Sequence, residues 1–226
     1  MKIAILLAGP YRGNDAMLLT HLIRVGSYDT YVSCFEHYKL EWLESKWPIE
    51  KLTITPSIDL KTTKWYEHRN DSAGQSGFWQ FWNLKSVIES VTDDYDFYIK
   101  SRSDLNFYEG KLSYKILSEL EPNTFYCPEF YFDNQFWLGT DRINDQFFIG
   151  DKNVMKVIAE FPIGYYSDPS KIRAFQIEGN EMALKKWLEQ NSINIKVING
   201  IRYSKNHNGF ASATGEGGIY QLEENK

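Results

Sequence analysis

The sequence predicts an α/β fold, a single domain over residues 1–226 with a mostly parallel central sheet flanked by helices. Three observations lead there. From Lys2 to Ala8 the chain reads as a continuous apolar run, as in a strand buried on both faces of a parallel sheet. A glycine-bearing loop and a segment of helical spacing follow at once. Residues 95–105, YDFYIKSRSDL, start as an aromatic and β-branched strand and turn polar at Lys100, as a central strand does when its carboxyl end opens on a ligand crevice.

Taken in order, the loop after the first strand is Gly9-Pro10-Tyr11-Arg12-Gly13, and Asn14 or Asp15 can cap a helix carrying Met17, Leu18, Leu22 and Val25. Residues 30–35 predict a second strand, residues 40–47 a short helix ended by Pro48, and residues 51–55 a third strand ended by Pro56. Residues 57–76 are polar and read as irregular, a length often found in functional loops. Residues 78–91 give the clearest helix, with Phe78, Phe81, Trp82 and Ile88 on one face and Leu84, Val87 and Val91 on its flank. After the 95–105 strand come a helix at 112–120 and a β-rich aromatic patch at 124–138. A buried strand entered through Asn144-Asp145-Gln146 ends at Gly150, and a helix begun by Asp151 or Asn153 runs through Ala159. A helix at 178–190, a strand at 193–198 and a polar tail from about residue 203 complete the chain, with no repeat or second domain.

Composition narrows the class. A net charge of −5 argues against a nucleic-acid partner. Aromatic content of 16% serves equally for core filling and for stacking on sugars, so it does not choose between them. Cys34 and Cys127 stand in apolar, strand-like surroundings and read as buried free thiols, since a disulfide framework or zinc site needs more cysteines or closer spacing. The apolar run 3–8 is too short for a signal peptide and breaks at Gly9-Pro10 without a small-residue cleavage site. No stretch approaches the roughly 20 apolar residues of a membrane span. These features predict a cytoplasmic protein with reduced thiols.

The residues with chemistry cluster in two places. On a strand, Lys100, Arg102 and Asp104 share one face, with Ser101 and Ser103 on the other. Cations suit phosphate oxygens and an aspartate suits a hard divalent metal, so the trio predicts a diphosphate site; the alternative is a strand ending in a solvated turn, or a charge pair with Asp93, Asp94 or Asp96. The loop of Gly9, Arg12 and Gly13 is neither a P-loop nor a dinucleotide fingerprint. It offers exposed backbone at a helix start plus a guanidinium, which can hold an anion or a uracil edge, or it is an ordinary strand-to-helix turn.

In sequence these blocks resemble a GT-A-type glycosyltransferase, closest to small bacterial and viral enzymes of polysaccharide or glycan synthesis. The resemblance is carried by LAGPYRG after the first strand, the QFWNLKSVIESV helix before YDFYIKSRSDL, INDQFFIG, and the EMALKKWLEQNSINIKVI helix–strand unit, over roughly residues 3–207. It implies a nucleotide-diphospho-sugar transferase fold of Rossmann-like form and a nucleotide-sugar donor, UDP-linked in the commonest case. It also implies Mn²⁺ or Mg²⁺ on the diphosphate and transfer to a hydroxyl of a glycan or lipid-linked acceptor. A lipid-linked acceptor would bring the protein to a membrane surface without a spanning segment.

Many such enzymes hold the metal on Asp-x-Asp; here the triplet is Arg102-Ser103-Asp104, so Asp104 is the expected metal ligand and Arg102 stands in for the first acid. His207 falls where the family often supplies a last metal ligand, and it reads otherwise as a solvated tail residue. An inverting transferase needs one carboxylate to take the acceptor proton, and Asp145 is the candidate, with Glu178 and Glu181 as rivals. The alternative for Asp145 is a turn or cap residue. Gly9, Arg12, Gly13, Lys100 and Arg102 are the expected nucleotide contacts. Two other classes compete. One is a sugar-1-phosphate nucleotidyltransferase, for which LAGPYRG is short. The other is a nucleotide- or sugar-binding module without turnover, which the altered metal triplet would suit.

Overall fold

A computed structural model describes residues 1–8, 28–34, 50–56, 72–102, 105–109, 112, 114–128, 131–132, 135–136, 143–166, 169–198 and 202–205. The strands are β1 (Ile3–Ala8), β2 (Tyr28–Cys34), β3 (Lys51–Ile54), β4 (Phe97–Ser101), β5 (Leu105–Glu109), β6 (Thr124–Cys127), β7 (Tyr131–Phe132), β8 (Gln135–Phe136), β9 (Phe148–Gly150), β10 (Asn194–Val197) and β11 (Arg202–Lys205). The helices are α1 (Ser72–Ser90), α2 (Tyr114–Ser118), α3 (Lys152–Tyr166) and α4 (Pro169–Gln190). The helices expected at 14–25 and 40–47 lie outside the described residues.

Seven strands form one sheet in the order β10-β6-β9-β4-β1-β2-β3. All pairs are parallel except those of β9, which runs against both β4 and β6. The fold is thus an α/β layer structure with a mostly parallel sheet. Alternation along each strand divides the interior in two. Ala4, Leu6, Tyr31, Tyr98, Phe125 and Phe148 face α1, α3 and α4, against Phe81, Leu84, Ile158, Phe161 and Leu184. Ile3, Ile5, Val32, Ile99 and Ile149 face the other way, toward Leu105, Leu112 and Leu117. Burial of β1 at every position explains its unbroken apolar run.

The structure differs from the sequence expectation at several elements. Helix α1 begins at Ser72, inside the stretch read as irregular; Gly74 and Gly77 give its first turns little helical propensity, so its anchoring comes from packing further along. Its buried face centres on Phe78, Phe81, Leu84 and Val87, while Trp82 lies at the margin, stacked on Phe78 and with its indole N–H donating to the Pro56 carbonyl at 2.8 Å. An indole buried at the centre would lack that acceptor. Helix α3 continues past Ala159 and through Pro162, because Phe161 and Tyr165 of its last turns are buried core residues. Strand β4 stops at Ser101, and a separate strand β5 begins at Leu105, paired antiparallel with β11 from the stretch read as a polar tail. Asp151 caps α3 as expected, accepting from the Val154 backbone N–H at 2.9 Å.

Candidate functional site

The chain runs outward from β1 to β2 and β3, then returns through α1 to place β4 on the other flank of β1. The carboxyl ends of β1 and β4 therefore sit at a topological switch point, the place where open α/β sheets hold ligands. Ala8 ends β1 there and Ser101 ends β4. Because β9 is antiparallel, with Phe148 opposite Lys100 and Gly150 opposite Tyr98, its entry rather than its exit reaches this edge. Residues 143–147 are thus delivered to the carboxyl end of β4, and Ile143 through Phe147 are all buried.

The entry loop is folded on its own polar groups. The Asn144 side-chain oxygen accepts the backbone N–H of Gln146 at 3.0 Å and of Phe147 at 3.3 Å, an Asx-type turn. The turn role considered for Asp145 therefore belongs to Asn144. The Asp145 carboxylate instead accepts from the Gln80 side-chain amide of α1 at 2.9 Å, with the residue only 4% exposed. Beneath the loop, the fully buried Lys100 ammonium donates to the backbone carbonyls of Asp145 and of Gln146, the latter at 3.0 Å, and lies 5.5 Å from the centre of the Phe148 ring. The three aspartates ahead of the strand have partners of their own. Asp93 binds Lys2 at 2.8 Å, Asp94 binds Lys152, and Asp96 accepts the Lys2 backbone N–H.

Neighbouring groups close the edge. The Cys127 thiol at the end of β6 is pushed up to about 12, chiefly by burial; a backbone hydrogen bond from Asn144 opposes this and the Asp145 charge adds to it. On the far side of β1, the Ser33 and Thr55 hydroxyls meet at 2.6 Å, and the Thr55 hydroxyl donates to the Asn83 side-chain oxygen. Since that uses the one Thr55 proton, Ser33 is the donor to Thr55. Gln80 and Asn83, three residues apart on α1, therefore bond to opposite sides of the switch point. Gln146 Oε1 is buried with no hydrogen-bond partner among the described residues.

Of the residues expected from sequence, Lys100 and Asp145 are in contact at this edge. Arg102 lies just past the end of β4, half-buried, so strand alternation no longer governs its direction. Glu178 falls within α4, its side chain outside the described residues, as are Gly9, Arg12, Gly13, Asp104 and His207. Among the described residues no three His, Cys, Asp or Glu side chains meet as a metal site. The part that Asn144 and Gln80 play here is not carried by any sequence motif. A polar pair at 80 and 83, each one residue before a core position, Phe81 and Leu84, is the available signal.

No family model matches the chain, and no curated protein matches it. Among solved structures the chain is similar to the apo form of mouse xyloside xylosyltransferase 1, at a TM-score of 0.46 and 10% identity, over 88% of this chain and 85% of that one. No helix among the described residues is long and apolar enough to cross a membrane.

Proposed function

We propose that this protein is a glycosyltransferase that moves a sugar from a nucleotide-sugar donor, UDP-linked, to a hydroxyl of a glycan or lipid-linked acceptor. The observation that carries this reading is the bonding of Lys100, near the end of β4, to the Asp145 loop at the switch point of a mostly parallel sheet, with Arg102 two residues further along the chain. Positive charge at that edge suits a diphosphate. Arg102 is its contact on this reading; Gly9, Arg12 and Gly13 after β1 complete the nucleotide site. Asp145 is the general base. The acceptor oxygen bonds to the anomeric carbon, its proton passes to the Asp145 carboxylate, and the bond to the diphosphate oxygen breaks with its electron pair leaving on the nucleotide. Glu178 is the second candidate for that proton. Asp104 and His207 would hold a Mn²⁺ or Mg²⁺ ion, whose chemistry is to stabilise the leaving diphosphate. The described residues contribute no ligand set to it.

A melting-temperature panel of UDP, GDP, CDP and TDP, each with and without Mn²⁺, tests the reading. A ligand at about 100 times its Kd adds about 2.7 kcal/mol of stability. The expected result is selective stabilisation by UDP, enlarged by Mn²⁺, together with UDP release from a UDP-sugar that Asp145→Asn lowers at least about 100-fold. No shift with any nucleotide would overturn the donor assignment. Full turnover in Asp145→Asn would move the base to Glu178.

A further inference from the structure

We infer that Lys100 is a positioning residue for Asp145, acting through the 143–147 loop and not by touching the donor. The inference rests on Asp145 being the base and deepens that reading. A fully buried ammonium is costly to desolvate, so its position calls for strong partners. Two of them are carbonyls of consecutive residues, Asp145 and Gln146. In extended backbone, neighbouring carbonyls point in opposite directions. Both can turn to one cation only where the chain is bent, and Asn144 supplies the bend by taking the N–H groups of Gln146 and Phe147. The loop is therefore held at its N–H groups by Asn144 and at its carbonyls by Lys100. Gln80 then fixes the one remaining variable, the direction of the Asp145 carboxylate, from a different element.

The consequence is a division of labour along β4. Lys100 organises the base from inside the sheet, and Arg102, beyond the strand end, faces the donor's charge. A general base misplaced by about 1 Å loses on the order of 100-fold in rate. Binding of the nucleotide should not depend on Lys100.

Four variants test this: Lys100→Met, Gln80→Leu, Asp145→Asn, and Lys100→Met combined with Asp145→Asn. The measurements are kcat and KM for the UDP-sugar, UDP affinity by calorimetry, and hydrogen exchange of the 144–147 amides. We expect Lys100→Met and Gln80→Leu each to lower kcat by about 10- to 100-fold while KM and UDP affinity stay within about threefold. Lys100→Met should also speed exchange at Gln146 and Phe147. In the Asp145→Asn background, Lys100→Met should cost nothing further, because both act on one step. A tenfold loss of UDP affinity in Lys100→Met with kcat retained would overturn the inference and make Lys100 a phosphate contact; so would unchanged amide protection. Should Lys100→Met fail to fold, Gln80→Leu carries the same kcat test, and normal kcat there overturns the positioning of Asp145. A fully active Asp145→Asn identifies failure of the base assignment itself. An inactive Asp145→Asn beside normal Lys100→Met and Gln80→Leu identifies failure of this inference alone.

Discussion

At the scale of single residues, the switch-point edge is built from buried polar groups whose partners lie far away in sequence. Ser33, Thr55 and Asn83 form one such chain, with every proton assigned. Asn83→Ala removes the acceptor for Thr55 while leaving its hydroxyl buried. The expected loss is about 1–3 kcal/mol of stability by denaturant titration. Asn83→Ala together with Thr55→Val should cost less than the sum of the two single changes, because the orphaned hydroxyl goes too. Asp145, Lys100 and Gln80 follow the same logic, with Asp145 45 positions after Lys100 and 65 after Gln80. Their types were legible in the sequence: a lysine inside an apolar strand and an aspartate inside an apolar run both stand out. Their mutual bonds were not. Periodicity places a residue on a face, and only the strand register says which loop that face meets.

At the scale of elements, what sequence reading found and missed follows from where stability comes from. Strands β1, β4 and β9 were legible because burial on both sides forces apolar composition. The first turns of α1 were hidden by Gly74 and Gly77. The last turns of α3 were hidden by Pro162, which lacks an N–H yet sits in a helix held by Phe161 and Tyr165. β5 and β11 were missed because neither has the alternation of a half-buried strand; each is defined by the other. The α3–α4 contact gives a sharp test. A Cβ on Gly164 would clash with the Trp187 ring, whose N–H donates to the Val157 carbonyl at 2.7 Å. Gly164→Ala gains about 1 kcal/mol of helical propensity but forces the indole off its seat and its acceptor. The net expectation is destabilisation by about 1–3 kcal/mol, read as a lower melting temperature. A neutral result would mean that Trp187 swings aside freely.

At the scale of the molecule, the two thiols make stability depend on alkaline pH. Cys34 is pushed up to about 11 and Cys127 to about 12, both chiefly by burial, from an ordinary value of 9.0. The unfolded chain therefore releases these protons first. Their contribution is complete below pH 9 and is lost as pH rises toward the folded values. For Cys127 the slope is about 1.4 kcal/mol per pH unit within that window. Melting temperature should fall between pH 8.5 and 10.5, and Cys127→Ala should flatten the decline; equal slopes in both proteins would remove the thiol as its cause.

The reversed strand β9 has a consequence for assembly. It is the only described strand that joins the β4 side of the sheet to β6 and β10, and its entry loop holds the acceptors of a buried cation. A ribosome that had emitted residues 1–142 would hold a half-sheet in which Lys100 lacks both carbonyls, so closure of that half is opposed until residues 143–150 emerge. The β1–β4 half is thus expected to consolidate after β9 is delivered, the acceptors of its buried cation arriving with that strand.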